Sequence, residues 1–304
     1  MQPCLGDPRS GFTVVATGCY DFEYLTCHNL FDIRRAGDSD LLYVFPQPCP
    51  DALSTIYPRH YIPFQFHQLR GLVGWARDFV QGKKASVILR LAGTHGKILD
   101  VGTGSGMLLR QVARIARSKQ NLYANDFSEF ALAPLKAEGF QAILGRAELL
   151  DTPERFQVIC LNQVLEHLQD PVAVVNRLTA LLAPGGYLFI ETPNTDSLDA
   201  HLFARRYWGG YHIPRHFWLF SEASLRQLLT ASGLIITEVD YLASPAFWIQ
   251  SLHHALLDKG WRVLARFFSE KNPLLLAPAT ALDLLIASMG RKTSNIRVIA
   301  QKQP

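Results

Sequence analysis

"KILDVGTGSGMLLRQ", residues 97–111, is a short apolar run that stops in alternate glycines and continues with helical periodicity. A strand that ends in a glycine turn and opens a helix is the first half of a βαβ unit, with a ligand site beside the turn. The flanking sequence repeats the alternation. Apolar strand-like runs are expected at 97–101, 122–125, 141–144, 156–161 and 187–191, with helices at 107–117 and 171–182. Asp170 before Pro171 suits a helix N-cap with proline at the first position, and "APGG" after Leu182 reads as the glycine turn that ends the helix. Ser221 caps a further helix to residue 231, "LIITEVDYL" (234–242) reads as a sixth strand and "NIRVIAQK" (295–302) as a seventh. The expected class is α/β, a Rossmann-like seven-stranded sheet with helices on both faces.

Composition narrows the partners. The chain has 304 residues, 48% of them hydrophobic, which is ample for a large core. Thirty basic against 26 acidic residues give a net charge of +4 without a dense Lys/Arg run, so nucleic acid is not an expected partner. Cys4, Cys19, Cys27, Cys49 and Cys160 are scattered with no CxxC, which fits neither a disulfide scaffold nor a zinc site. A reducing cytoplasm is the expected setting. "MQPCLGDPRS" lacks signal-peptide character, and no apolar stretch reaches about 18 residues. The longest, "NPLLLAPATALDLLIASMG" (272–290), is broken by Pro273, Pro278 and Asp283 and reads as a packed helix after Pro278.

The turn itself discriminates between ligands. A dinucleotide fold wants G-x-G-x-x-G or Ala, and the matching position here is the bulky Met107. No Gly-Lys-Ser/Thr follows, so it is not a P-loop. Asp100, just before Gly102, Thr103, Gly104 and Gly106, would repel a pyrophosphate but attract an ammonium or sulfonium. S-adenosylmethionine carries both cations and no phosphate. Asp126, about 20 residues past the turn at the end of the second strand, is placed to accept both ribose hydroxyls.

"ILDVGTGSG", "ANDFS", "GRAE", "FQVICLNQVLEHLQDP" and "LAPGGYLFIETPN" together resemble the class I S-adenosylmethionine-dependent methyltransferases, over about 97–241 and the last strand. The resemblance implies that Asp100, Gly102, Thr103, Gly104 and Gly106 face the methionine moiety, Asp126 the ribose and Phe127 one adenine face. It places Ala147 and Glu148 along the adenine edge and Asn162 and Gln163 near the transferable methyl. The chain departs from the family at Arg146, where an acidic residue is common, so main-chain contacts are expected to replace that bond to the adenine amino group. The implied product is S-adenosylhomocysteine. "YWGGYHIPRHFWLFS" (207–221) and "YDFEYL" (20–25) resemble a branch that modifies sugars, lipid-linked glycans and other secondary metabolites. That branch carries a four-cysteine zinc knuckle near its amino terminus. Here Cys4 has no partner at the next-but-two position and "IRRAGDSDLLY" has no cysteine, so no structural zinc is expected.

These signals divide the chain into an appendage at 1–65, strand-rich and packed through "FTVV" and "LLYVF", and a helical lead-in at 66–96. The core is expected at 97–242 and 295–304, with a helical insertion at 243–294 as lid or oligomer contact. Basic and aromatic residues interleave in "WRVLARFF" (261–268), which suits weak contact with a membrane surface. Methyl transfer needs in-line positioning and, for a hydroxyl acceptor, removal of a proton. His167, His212 and His216 are the candidate bases, and Arg215 would orient an anionic or hydroxyl-rich acceptor. For 212, 215 and 216, a loop latch bonded to the core is an equal alternative. Glu166 beside His167 does not read as a metal pair, since adjacent helical residues diverge, and no metal is expected. The sequence reading is thus a methyltransferase acting on an oxygen of a small-molecule, sugar or lipid-linked glycan acceptor, with nitrogen and carbon left open. The rivals are a non-catalytic S-adenosylmethionine-binding protein and an NAD-dependent oxidoreductase.

Overall fold

The computed structural model describes residues 11–37, 39–57, 71–269 and 272–303. The first ten residues, with Cys4, and the start of the expected lead-in helix at 66–91 lie outside the described residues. In chain order the elements are β1 (Phe12–Cys19), β2 (Phe31–Ala36), β3 (Leu42–Phe45), α1 (Leu53–Ile56), α2 (Gly71–Ala92), β4 (Ile98–Val101), α3 (Met107–Ala116), β5 (Leu122–Asp126), α4 (Glu129–Ala137), β6 (Gln141–Leu144), β7 (Phe156–Asn162), α5 (Pro171–Leu181) and β8 (Leu182–Pro193). They continue as α6 (Leu198–Leu202), β9 (Trp218–Leu219), α7 (Glu222–Ala231), β10 (Leu234–Leu242), α8 (Pro245–Asp258), α9 (Arg262–Phe267), α10 (Pro273–Ser288) and β11 (Asn295–Lys302).

Seven strands form one sheet in the order β10-β11-β8-β7-β4-β5-β6, so the last strand of the chain enters between β8 and β10. The alternation of strand and helix explains the parallel pairs β4–β5, β4–β7, β5–β6 and β7–β8. Register decides what one face of this sheet presents. Asp100 aligns with Ala124 on one side and Cys160 on the other, and Cys160 aligns with Phe189. Side chains alternate along a strand, so these four share a face, and two residues further on Asp126, Asn162 and Glu191 continue it at the carboxyl ends. Ala85, Ile88 and Ala92 of α2, spaced three and four apart, pack on the apolar part of that face with Leu108, Leu109 and Val112 of α3. The polar row is therefore the rim of a close-packed core.

Two boundaries differ from the sequence reading. "APGG" does not follow α5 as a turn: β8 already begins at Leu182, and its pairing with β7 is irregular between Leu182 and Tyr187. A Cβ on Gly186 would come within 2.9 Å of the Phe156 carbonyl, so the glycine serves close strand approach. The other difference is α10, which starts at Pro273 rather than after Pro278. Asn272 accepts from the Leu274 amide at 3.1 Å and Pro273 occupies the first turn, where a missing N–H costs nothing. Asp170 caps α5 through the Ala173 amide, 2.9 Å away.

The chain divides into two compact units. One takes its described residues from Met1–Pro58, Thr192–Leu225 and Asp240–Ile296, the other from Arg59–Glu191, Arg226–Val239 and Arg297–Pro304. The amino-terminal strands thus share a unit with residues 192–225, which the sequence assigns to the core, and with the helices at 243–294. The reason is pairing: β9 completes the sheet β1-β2-β3-β9, with Leu42 opposite Leu219. Ile33, Val44, Trp208, Ile213 and Leu219 are buried together there. Asp283 does not interrupt α10; its buried carboxylate accepts from Trp248 Nε1 at 2.8 Å and from the Ser244 amide at 2.7 Å, tying α10 to the start of α8. One cysteine departs from the fully reduced reading: Cys49 is disulfide-bonded, while Cys19, Cys27 and Cys160 are free. Sequence spacing alone cannot show such proximity. Among the described residues, no helix is long and apolar enough to cross a membrane.

Candidate functional site

The glycines after β4 serve two different physical purposes. All are left-handed, with φ of +64°, +52° and +68° at Gly102, Gly104 and Gly106. A Cβ at Gly102 would approach Val164 to 2.8 Å, and one at Gly106 would approach Leu135 to 2.3 Å, so these two are packing positions. A Cβ at Gly104 would meet no described atom within 4 Å. The turn is therefore left open at its middle glycine, the geometry a close-approaching ligand needs. Thr103 sits between them, its amide bonded to the Asn125 carbonyl.

Two carboxylates flank this opening. Asp126 is 5% exposed and accepts from the Gly104 amide (3.0 Å, Oδ2) and the Ser128 amide (2.9 Å, Oδ1). Each oxygen retains a lone pair, so the group can still accept a diol. Burial pushes its pKa up, opposed by those amides. Asp100 accepts from the Thr103 hydroxyl at 2.8 Å. Burial pushes its carboxyl up to about 7, against the pull of Thr103 and of the Lys84 ammonium and with Asp126 adding to the rise. A buried carboxylate held this close to neutrality gains most from an incoming cation.

Beside Asp126 the Phe127 ring is 56% exposed, an apolar face next to an acceptor for hydroxyls. Ala147 is buried and opens a short helical turn that includes Glu148. Arg146, where the family often carries an acid, reaches Gln169 at 3.1 Å and Glu148 at 3.4 Å. Asn162 ends β7, and Gln163 follows with φ +56°, its amide bonded to the Glu191 carbonyl at 2.8 Å. A left-handed non-glycine residue marks a backbone held by its surroundings. His167 is half-buried at the end of the next short turn. All these residues belong to one unit.

The sequence reading missed a buried polar group on the same face. Lys84 of α2 donates to Asn162 Oδ1 at 2.5 Å and pairs with Glu191. Arg297 of β11 takes the other Glu191 oxygen at 2.7 Å through Nε. An acid ending the apolar run of β8 and a base inside β11 are a signal for such a pair, but nothing local marks Lys84.

The remaining candidates lie in the other unit. Arg215 is fully buried; it pairs with Asp21 (2.9 Å) and donates to the Ile56 and Ile213 carbonyls at 2.7 and 3.0 Å. The guanidinium thus bonds protein groups, the contacts a loop latch makes. His216 donates from Nδ1 to the Gly210 carbonyl at 2.8 Å, and His212 donates from Nδ1 to Glu23 at 2.7 Å. Gly209 is also a packing position, since a Cβ there would lie 2.7 Å from Gln250 of α8.

The strand order, the open glycine turn and the two carboxylates define a class I S-adenosylmethionine-dependent methyltransferase domain. A family model described as a methyltransferase domain matches residues 76–239, more than half of the chain, and the chain belongs to that family. Among curated relatives, the ubiquinone biosynthesis O-methyltransferase of Xanthomonas euvesicatoria is 28% identical over 206 residues, 64% of this chain and 79% of that protein. The one from Colwellia psychrerythraea is 29% identical over 113 residues, 36% of this chain and 46% of its own length. The chain spans about half the length of several such relatives. Among solved structures, the 1,6-didemethyltoxoflavin-N1-methyltransferase of Burkholderia thailandensis, with bound 1,6-didemethyltoxoflavin and S-adenosylhomocysteine, aligns at a TM-score of 0.53. That alignment covers 93% of this chain and 99% of that one, at 15% identity, a likeness of fold.

Proposed function

We propose that the chain transfers a methyl group from S-adenosylmethionine to a small-molecule acceptor, with oxygen as the methylated atom. The observation that carries this reading is the open turn at Gly104 with Asp126 bonded to its amide and Asp100 buried beneath. The donor set fits the cofactor: two carboxylates for a ligand with two cations and a diol, and no cation spent on a phosphate. When bound, the cofactor supplies a methyl group already activated on a sulfonium. Asp126 would accept from the ribose hydroxyls, Phe127 would cover the adenine, Ala147 and Glu148 would line its edge, and Asp100 would face the methionine end. Asn162 and Gln163 would lie where the acceptor arrives. His167, on the loop after β7, is the base this reading favours for removing the acceptor's proton. The names of the O-methyltransferase relatives support oxygen as the target, and sugars and lipid-linked glycans belong to the acceptor panel to be screened.

The reading is tested by turnover: methylated product from a panel of phenols and glycans, with the cofactor labelled at the methyl. His167→Ala should reduce turnover at least about tenfold while leaving cofactor affinity within about twofold. Normal turnover in the variant would remove His167 from the reaction.

Binding should depend on pH in a defined direction. The Asp100 pKa, about 7 without ligand, falls when a cation docks, so binding expels a proton below that pH. Affinity for S-adenosylhomocysteine should rise from pH 5.5 to about 7 and level off, by up to about tenfold per unit. Calorimetry showing equal affinity at pH 6 and 7.5 would contradict this.

The glycines separate by substitution. Gly106→Val, meeting Leu135, should destabilise folding by about 2–4 kcal/mol. Gly104→Val has only its backbone strain, about 1–2 kcal/mol, yet should lower cofactor affinity more than about tenfold. Denaturation and titration of both variants check the contrast, and a normally binding Gly104→Val would refute the close approach.

A further inference from the structure

We propose that Lys84 is a positioning residue of the cofactor site, reaching it from outside the glycine fingerprint to hold the Asn162 carboxamide and to balance the charge beside Asp100. The inference rests on the methyltransferase reading for the identity of the ligand, not for the contact itself. Lys84 is 5% exposed, one position before Ala85, which packs on the sheet face that carries Asp100, Cys160, Asn162 and Glu191. Burying an ammonium is costly unless it is paired and bonded, and here both conditions are met by Glu191 and Asn162.

Two consequences follow from the donor inventory. An ammonium only donates, so Asn162 must turn its oxygen to Lys84 and its NH2 group away. No partner of that NH2 group is found among the described residues, and the lysine thereby presents two N–H donors at the end of β7. Glu191 is also shared. One carboxylate answers both Lys84 and Arg297, so these three groups together carry a net positive charge on the face that also holds the carboxyls of Asp100 and Asp126. The groups acting on Asp100 are the Thr103 hydroxyl, Lys84 from α2 and Asp126 from β5, and Lys84 is in turn paired with Glu191 of β8, which also pairs with Arg297 of β11. The Cys160 thiol is kept neutral by burial. Lys84 is the member that favours an ionised Asp100, ready for a cation.

A merely structural lysine would change stability without changing how Asp100 titrates. The test follows the carboxyl carbon of Asp100 by NMR across pH in the ligand-free full chain, and in parallel the S-adenosylhomocysteine affinity between pH 5.5 and 7.5. Lys84→Met should move the Asp100 midpoint up by about one unit and weaken binding at pH 7 by up to about tenfold, and Lys84→Arg should restore most of the midpoint. Glu191→Gln, nearly isosteric, should move the midpoint in the opposite direction because it leaves Lys84 less compensated. Should Lys84→Met not fold, Glu191→Gln decides alone. An unchanged midpoint in Glu191→Gln, or in a folded Lys84→Met, overturns the proposal. If the wild-type chain binds no S-adenosylhomocysteine, the methyltransferase reading fails, while the NMR midpoints still judge Lys84.

Discussion

Arg215→Met is expected to destabilise the unit that contains it by about 3–5 kcal/mol, the cost of leaving a buried partner charge unanswered. Asp21 is itself fully buried, and its carboxylate accepts from the amides of Tyr24 (2.9 Å) and Thr26 (2.8 Å) as well as from the guanidinium. Those bonds overcome burial and hold its pKa down at about 2. The sign is the usual one for a depressed carboxyl. The pair's contribution is complete above about pH 4, the unfolded value, and is lost as pH falls towards 2. Arg215 also joins segments far apart in sequence, bonding Ile56 across 159 positions and Asp21 across 194. Urea denaturation of Arg215→Met and of Arg215→Met with Asp21→Leu checks the argument. The double variant should recover part of the loss, because it removes the stranded charge. A single variant within about 0.5 kcal/mol of wild type would show that the pair does not hold this unit together.

Asp126→Ala is expected to weaken cofactor binding by ten- to a hundredfold or more, about 1.5–3 kcal/mol for charge-assisted bonds to a ligand. The structure gives a reason for the upper end. The same carboxylate holds the Gly104 and Ser128 amides, so its removal loosens the turn that approaches the ligand as well as deleting the acceptor. Asp126→Asn keeps an acceptor oxygen and should lose less. Folding should survive both changes, since burial pushes this group towards neutrality and its charge is not stabilising the apo fold. Calorimetric affinity with a thermal unfolding control measures the two effects separately. Unchanged affinity in Asp126→Ala would remove it from the site.

The residues that sequence reveals here are those whose reason is local. The glycine turn, Asp100 and Asp126 sit within one βαβ unit, where strand period, a turn and a carboxylate at a strand end already state the geometry. "NIRVIAQK" coincides with β11 because a short run rich in β-branched residues lies between Gly290 and the carboxyl terminus. Boundaries differ where proline and glycine have two readings: α10 starts at Pro273 and not after Pro278, and Gly186 lies inside β8 and does not end α5. What stayed hidden depends on partners far away in sequence. Lys84 meets Asn162 across 78 positions with no local pattern to betray it, and Arg297 meets Glu191 across 106, marked only by an acid ending the apolar run of β8 and a base inside β11. The "YWGGYHIPRHFWLF" stretch shows the same limit. Its arginine reads equally as an acceptor contact or as a latch, and its protein partners are supplied by distant segments: Trp208 donates to Asp199 at 2.7 Å, Gly209 packs on α8 and Arg215 bonds the Ile56 and Ile213 carbonyls.

The most direct test of the central claim is calorimetric titration of the full chain with S-adenosylhomocysteine at pH 7.5, with NADH in parallel and Asp126→Ala as control. Micromolar binding of S-adenosylhomocysteine alone, lost or greatly weakened in the variant, is the predicted result. A folded protein that ignores S-adenosylhomocysteine, or that binds NADH in its place, would contradict the account of the glycine turn and of the carboxylates beside it.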